Sequence, residues 1–267
     1  MMLKAFALAA SLFTATAVAA DQMKMAVTTS FHNSGLSDVL LPAIMQDIGL
    51  EVQLIVVGTG QALRLGRAGD VDAILVHSKA SEEAFVSEGF APHRREIMFN
   101  DFVIIGPDVD PAGISTAASA ADALMLIHAA QAFFVSRGDD SGTHKKEKAL
   151  WGSAGLDAEA LSTDWYRAVG AGMGAALNVA SGMNAHILSD RASWLKFGNK
   201  GDLALLFAGD PVLFNQYAYL PISEAKHSHV DAASAAKLEA WLVSDRAQNL
   251  IDGYRLNGAQ LFTFNAK

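Results

Sequence analysis

The sequence has no cysteine at all and only 6 prolines in 267 residues. No disulfide framework is possible, and no lipobox cysteine is available to carry a lipid. Positive charge is also scarce: 20 Lys and Arg against 28 Asp and Glu give a net charge of −8. Nucleic-acid binding runs on basic patches, so that class of partner is disfavoured. A small anion is not, because local donors decide a buried site and distant charge is screened over about 8–10 Å. After the first twenty residues no apolar run reaches membrane-spanning length.

Those first twenty residues form a pattern of their own. Lys4 supplies a positive start, Ala5 to Val18 is small and apolar, and Val18-Ala19-Ala20 offers a cleavage site before Asp21. This predicts a secretory signal peptide over residues 1–20, removed to leave a periplasmic chain one unit more negative. The remaining length suits one large domain or two small ones.

Short apolar runs then alternate with amphipathic ones. Strands are predicted at Met23–Val27, Val52–Val57, Val71–His77, Glu96–Ile105 and Phe133–Ser136. Helices are predicted at Leu36–Ile48, Gln61–Arg67, Ser81–Ser87, Ala120–Ala130, Thr143–Ser153, Asp231–Leu242 and Arg246–Tyr254, with Pro42 as a weak point in the first. Such alternation argues an α/β fold with parallel sheets. Two extended segments, Asn100–Gly113 and Gly209–Ser223, read as crossings between lobes. They divide the chain into a discontinuous lobe, 21–106 with 213–267, and a continuous one, 107–212.

Three turns follow strands and precede helices: Thr28-Thr29-Ser30, Gly58-Thr59-Gly60, and the stretch SRGDDSGTH from Ser136 to His144. In a parallel α/β sheet such turns gather at the carboxyl ends of the strands. Each also precedes a helix N-terminus, where unpaired N–H groups and the helix dipole favour negative charge. Thr29, Ser30, Thr59, Ser141 and Thr143 add hydroxyls, Gly60 and Gly142 allow close backbone approach, and Arg137 adds a planar fork that matches oxyanions. Two of the turns belong to one lobe and the third to the other, so an oxyanion clamped between lobes would meet all three. Taken singly, each has a plainer reading as a helix cap, a tight turn or a surface ion pair.

Other chemistry is poorly supported. The strand before Gly58-Thr59-Gly60 hints at a dinucleotide fingerprint, but Leu63 stands where the third glycine belongs. There is no G-x-S-x-G elbow, and the 8 histidines show no metal-ligand spacing, His227 and His229 included. An enzyme is therefore not expected.

The stretches TTSFHNSGL (28–36), VGTGQAL (57–63), GDVDAILVHS (69–78), RREIMFNDFVIIGP (94–107), FVSRGDDSGTHKKEKALW (134–151), WYRAVGAGMGAALNVAS (165–181), LSDRASWL (188–195) and GDPVLFNQY (209–217) resemble the tungstate-binding, TupA-type solute-binding proteins of ABC importers. The resemblance implies a type II periplasmic binding protein with two α/β lobes around a ligand cleft. It implies tungstate as ligand and no cofactor, with a monomer delivering to a permease in the inner membrane. Carried over by position, Ser30 and Thr59 donate from one lobe and Arg137, Ser141, Gly142 and Thr143 from the other. Phe31 departs from the small hydroxyl residue expected after TTS.

Tungstate is a fully deprotonated tetrahedral dianion at neutral pH, so its site should present donors only. Phosphate, partly protonated, welcomes an acceptor. Of Asp139 and Asp140, one is expected to cap the following helix and the other to orient Arg137 or a backbone N–H. Molybdate, sulfate and phosphate stay open as ligands, as do an enzyme acting on oxyanion esters and a signalling role; no residue type separates tungstate from molybdate.

Overall fold

The structure, a computed structural model, describes residues 21–266. The leader expected at residues 1–20 lies outside the described residues. The elements in chain order are β1 (Asp21–Thr28), α1 (Thr29–Ser34), α2 (Ser37–Ile48), β2 (Leu50–Val57), α3 (Thr59–Ala68), β3 (Ala73–Val76), α4 (Lys79–Ser87), β4 (Arg95–Pro107), α5 (Ala120–Ala130), β5 (Phe134–Ser136), α6 (Gly142–Ser153), β6 (Tyr166–Ala168), α7 (Met173–Met183), β7 (His186–Asp190), α8 (Arg191–Lys196), β8 (Leu203–Phe207), β9 (Phe214–Pro221), α9 (Ala232–Leu242), α10 (Asp245–Gly253), β10 (Arg255–Leu256), β11 (Ala259–Gln260) and β12 (Thr263–Phe264).

Strand pairing runs β2-β1-β3-β9-β4-β7-β5-β6, with β8 and β12 also on β4. β1 is parallel to β2 and β3, and β5 is parallel to β6 and β7. The sheets are nevertheless mixed, not parallel as the alternation suggested. β9 opposes β3 and β4, and β4 opposes β7 and β8. The reason is topological: β4 and β9 carry the chain between halves in opposite directions. Along β4 the partner changes, from β9 over Arg95 to Asp101 to β7 from Phe102 onward.

Each half buries apolar side chains on both faces of its strands, as sheets covered by helices on both sides require. On β1, Met25 and Val27 join one core while Ala26 joins another with Ile74, Phe85 and Leu220. On β4, Phe102 and Ile104 face Trp151, and Val103 and Ile105 face Met173 and Leu177. Pro42 does not break α2. It sits on the exposed side of that helix, opposite buried Leu40, Ala43 and Ile44, so the carbonyl it leaves unpaired meets water. No helix among the described residues is long and apolar enough to cross a membrane.

The helices start earlier than their apolar periodicity suggests. α3 begins at Thr59, α4 at Lys79 and α6 at Gly142, and a short α1 occupies Thr29–Ser34. The turn residues singled out above thus stand in the first turns of helices.

Candidate functional site

The carboxyl ends of β1, β2, β3, β5 and β7 meet at the seam between the two halves, and all eight candidate residues gather there. Arg137 follows β5 and is 2% exposed despite its charge. Its Nη1 donates to Thr143 Oγ1 at 3.4 Å, and its Nη2 donates to Thr29 Oγ1 at 3.3 Å and Asp139 Oδ2 at 2.5 Å. The bond to Thr29 crosses the seam. So does the one from the Gly142 N–H to Thr59 Oγ1, at 3.1 Å. Ser141 is the N-cap of α6 and accepts from the His144 N–H at 3.1 Å. Ser30, Thr59 and Thr143 are completely buried.

The hydroxyls share one property. Thr28 accepts from the Phe31 N–H at 3.2 Å, and Thr29, Thr59, Ser141 and Thr143 each accept a bond already described. A hydroxyl carries one donor and two acceptor sites. Occupying an acceptor site leaves the proton for donation, so the cluster is biased toward giving hydrogen bonds.

Asp139 takes the orienting role: Oδ2 holds Arg137, and Oδ1 accepts from the Ser141 N–H at 3.3 Å, while the cap of α6 expected from an aspartate is supplied by Ser141. Asp140 instead reaches across the seam, within 3.8 Å of Arg64 Nη1 and 3.1 Å of its own half's Lys145. Phe31 faces away. It is 2% exposed and packs in the core beside Tyr217, with ring centroids 6.4 Å apart.

Sequence reasoning missed a second layer beneath these residues. His77 follows β3, Asp190 ends β7, and Asn100, Asn215 and Tyr217 stand on the crossing strands; all are buried. Asn215 donates to Asn100 Oδ1 at 2.7 Å. The available signal was polar residues inside otherwise apolar strands, MFNDF in β4 and FNQY in β9. Burial and the Arg137 charge push the His77 imidazole down to about 3, so it is neutral. Burial pushes the Asp190 carboxyl up, toward the neutral acid. Ser193, Ser30 and Arg137 oppose that shift, although neither serine hydroxyl reaches hydrogen-bond geometry with it.

Several atoms of this layer are buried without a protein partner: Ser30 Oγ, His77 Nδ1, Asn100 Nδ2, Arg137 Nε, Asp190 Oδ2, Ser193 Oγ and Tyr217 OH. Buried polar atoms are overwhelmingly paired in folded proteins, so a concentration of orphans around one arginine marks a place built for a polar guest. Burial also raises the Glu147 carboxyl to about 7, against hydrogen bonds from Tyr166 and Trp151. Glu147 accepts from Trp151 Nε1 of its own helix at 3.3 Å and from Tyr166 OH at 2.6 Å, and the latter bond fastens α6 to β6. A cavity of about 290 Å³ between α1, α7 and α8 lies beside this cluster, lined by His32, Lys196 and Leu177 and not by Arg137. No group of three or more His, Asp or Glu that could hold a metal ion occurs among the described residues.

Comparison with known proteins identifies the family. A family profile described as a PBP superfamily domain matches residues 14–246. The tungstate-binding protein TupA of Peptoclostridium acidaminophilum is 42% identical over 246 residues, covering 91% of this chain and 85% of that protein. A solved tungstate-binding TupA from Desulfovibrio alaskensis G20 is 43% identical with a TM-score of 0.79, covering 93% of this chain and all of the other. The tungstate ABC transporter structure from Geobacter sulfurreducens is 44% identical with a TM-score of 0.81, covering 89% of this chain and all of the other. The chain therefore belongs to the PBP superfamily and, within it, to the family of the TupA proteins.

Proposed function

We propose that this protein binds tungstate at the seam between its halves and delivers it to the permease of an ABC importer. The observation that carries the reading is the donor bias of the seam: hydroxyl oxygens already engaged as acceptors, with Ser30 Oγ and Arg137 Nε buried and unpartnered. A dianion that only accepts hydrogen bonds suits such a set. Asp139 is turned onto Arg137 and the Ser141 N–H, its charge paired with the guanidinium.

In this reading Thr29, Ser30, Thr59 and Gly60 approach the anion from one lobe, and Arg137, Ser141, Gly142 and Thr143 from the other. The lobes are those expected from the sequence, with crossings near 106 and 213. Expulsion of water as they close strengthens each charge-assisted bond. Nanomolar affinity corresponds to about −12 kcal/mol, which several charge-assisted bonds of about 1.5–3 kcal/mol each can supply. Export to the periplasm through a cleaved leader, and action as a monomer, complete the proposal. The reading is one of binding without turnover, in keeping with the relatives named as binding proteins.

Calorimetric titration of the chain from residue 21 with tungstate, molybdate, sulfate and phosphate tests it. Tight tungstate binding that weakens well over tenfold in Arg137→Ala is expected. Tight phosphate binding without tungstate binding, or an Arg137→Ala protein that binds as the parent does, overturns it.

A further inference from the structure

α3 starts with nothing of its own to satisfy its N-terminus. Its N-cap residue is Gly58, no side chain caps it, and its first turn contains no acidic residue. A helix of ten residues leaves its leading N–H groups open and carries partial positive charge at that end. A second negative group for that end, besides the bound oxyanion, lies in the other half of the molecule. An ideal Cβ built on Gly60 would fall 2.0 Å from Asp140 Oδ2 and 3.1 Å from the Asp140 carbonyl oxygen. Asp140 therefore lies directly over the first turn of α3, in space that only glycine leaves open.

The seat is prepared from both sides. Arg64, one turn further along α3, holds Nη1 3.8 Å from Asp140 Oδ2 and is itself steadied by Gln61, through bonds of 3.0 and 2.8 Å. Lys145 lies 3.1 Å from Asp140 Oδ1 and reaches Ser81 Oγ in α4 at 3.4 Å. Asp140 adopts a left-handed backbone, φ 58°, with its N–H donated to His144 Nδ1 at 3.2 Å. A non-glycine residue rarely takes that conformation. Here it turns the carboxylate out of its own half and onto the neighbour.

We propose that Asp140 is a positioning residue that clasps the closed lobes by serving, across the seam, as the N-terminal anion of α3. This rests on the reading that the lobes close around a bound oxyanion. Asp140 does not touch that anion; it acts on how long the closed form lasts. Opening must lift the carboxylate off the α3 terminus and part it from Arg64, so the clasp acts on release. The side chains of Arg64 and Asp140 are 60% and 56% exposed, so the ion pair alone contributes little. The seat on the helix end adds to it, and salt screens both.

The test measures release and closure together. Stopped-flow release of tungstate is followed in the parent, Asp140→Ala and Asp140→Asn at low and high salt. Release is expected to be roughly three- to thirtyfold faster in both variants, on the scale of helix-terminus charge effects, with association rates nearly unchanged. The salt dependence of release should be reduced in both. A double variant, Gly58→Ser with Asp140→Ala, gives α3 a cap of its own. It is expected to recover melting temperature while release stays fast. Parental release rates in Asp140→Ala, or slow release restored by Gly58→Ser, overturn the clasp.

Because the chain has no native cysteine, dye labels at Glu51→Cys and Ala160→Cys report closure by energy transfer without any anion. An unchanged closed fraction in Asp140→Ala overturns the clasp even if tungstate proves not to be the ligand. Failure of the parent to bind tungstate, with a reduced closed fraction in Asp140→Ala, overturns the functional reading and leaves the clasp standing.

Discussion

The backbone N–H of Gly142 donates to Thr59 Oγ1 over 3.1 Å, joining the first turn of α6 in one half to the first turn of α3 in the other. Because Thr59 is completely buried, this bond occupies one of the hydroxyl's two acceptor sites inside the protein and leaves its proton for a guest. Thr59→Val keeps the shape and removes both functions. We expect tungstate affinity to fall by about 1–3 kcal/mol, the penalty for leaving a buried N–H unsatisfied. Thr59→Ser should stay near the parent. Calorimetry on the pair checks this, and equal affinities for the valine and serine variants would remove Thr59 from the site.

Gly142 also faces His77 across the seam. A Cβ at position 142 would sit 2.7 Å from the imidazole and 2.8 Å from the His77 carbonyl oxygen. Backbone cannot yield as a flexible side chain does, so Gly142→Ala should hold the halves apart. The expected result is at least tenfold weaker anion binding together with no compaction in small-angle scattering when tungstate is added. Helix α6 should be unharmed, since alanine favours helix over glycine. A variant that still compacts fully on binding would show that this contact does not govern closure.

Glu147 gives the stability a pH signature. Its carboxyl is raised from 4.5 to about 7, so the folded state holds a proton that the unfolded state releases. The contribution is fully present below pH 4.5 and is lost as pH rises toward 7; a shift of this size corresponds to something on the order of 3 kcal/mol. Glu147→Gln keeps an oxygen to accept from Tyr166 and Trp151 and cannot ionise. Denaturant melts at pH 5 and pH 8 should show the glutamine variant gaining on the parent at the higher pH. Glu82, also raised to about 7 by burial, is retained in both proteins and cancels in the difference.

Much of the site was legible because strand–turn–helix punctuation survives in sequence. The hydroxyl turns after β1 and β2 and the SRGDDSGTH stretch after β5 come together as strand ends must in an α/β sheet. The second layer was not legible. Nothing local distinguishes His77 or Asp190 from a strand-end cap, and Asp190 is in fact the N-cap of α8, accepting from the Ser193 N–H. Their meeting with Arg137 depends on which strands pair, and β4 and β9 bring Asn100 against Asn215 across 115 positions of sequence. The directions of those crossing strands were hidden for the same reason: apolar alternation encodes burial and carries no polarity. The division of labour between Asp139 and Asp140 depended on the left-handed turn at Asp140, which aspartate adopts too seldom to be inferred from its type.

Phe31 offers the sharpest check on that distinction between a motif and its geometry. Judged by its place after TTS it is a lost donor; judged by its packing it is a core residue, 2% exposed and beside Tyr217. Restoring a hydroxyl with Phe31→Ser should therefore bring no gain in anion affinity. Removing the ring leaves a cavity in the first half's core, and Phe→Ala truncations of this kind cost about 3–5 kcal/mol. Saturating tungstate should recover part of the lost melting temperature, since a ligand present at about 100 times its dissociation constant stabilises the folded state by about 2.7 kcal/mol. A Phe31→Ser protein that melts as the parent does and binds tungstate more tightly would place residue 31 in the site and not in the core.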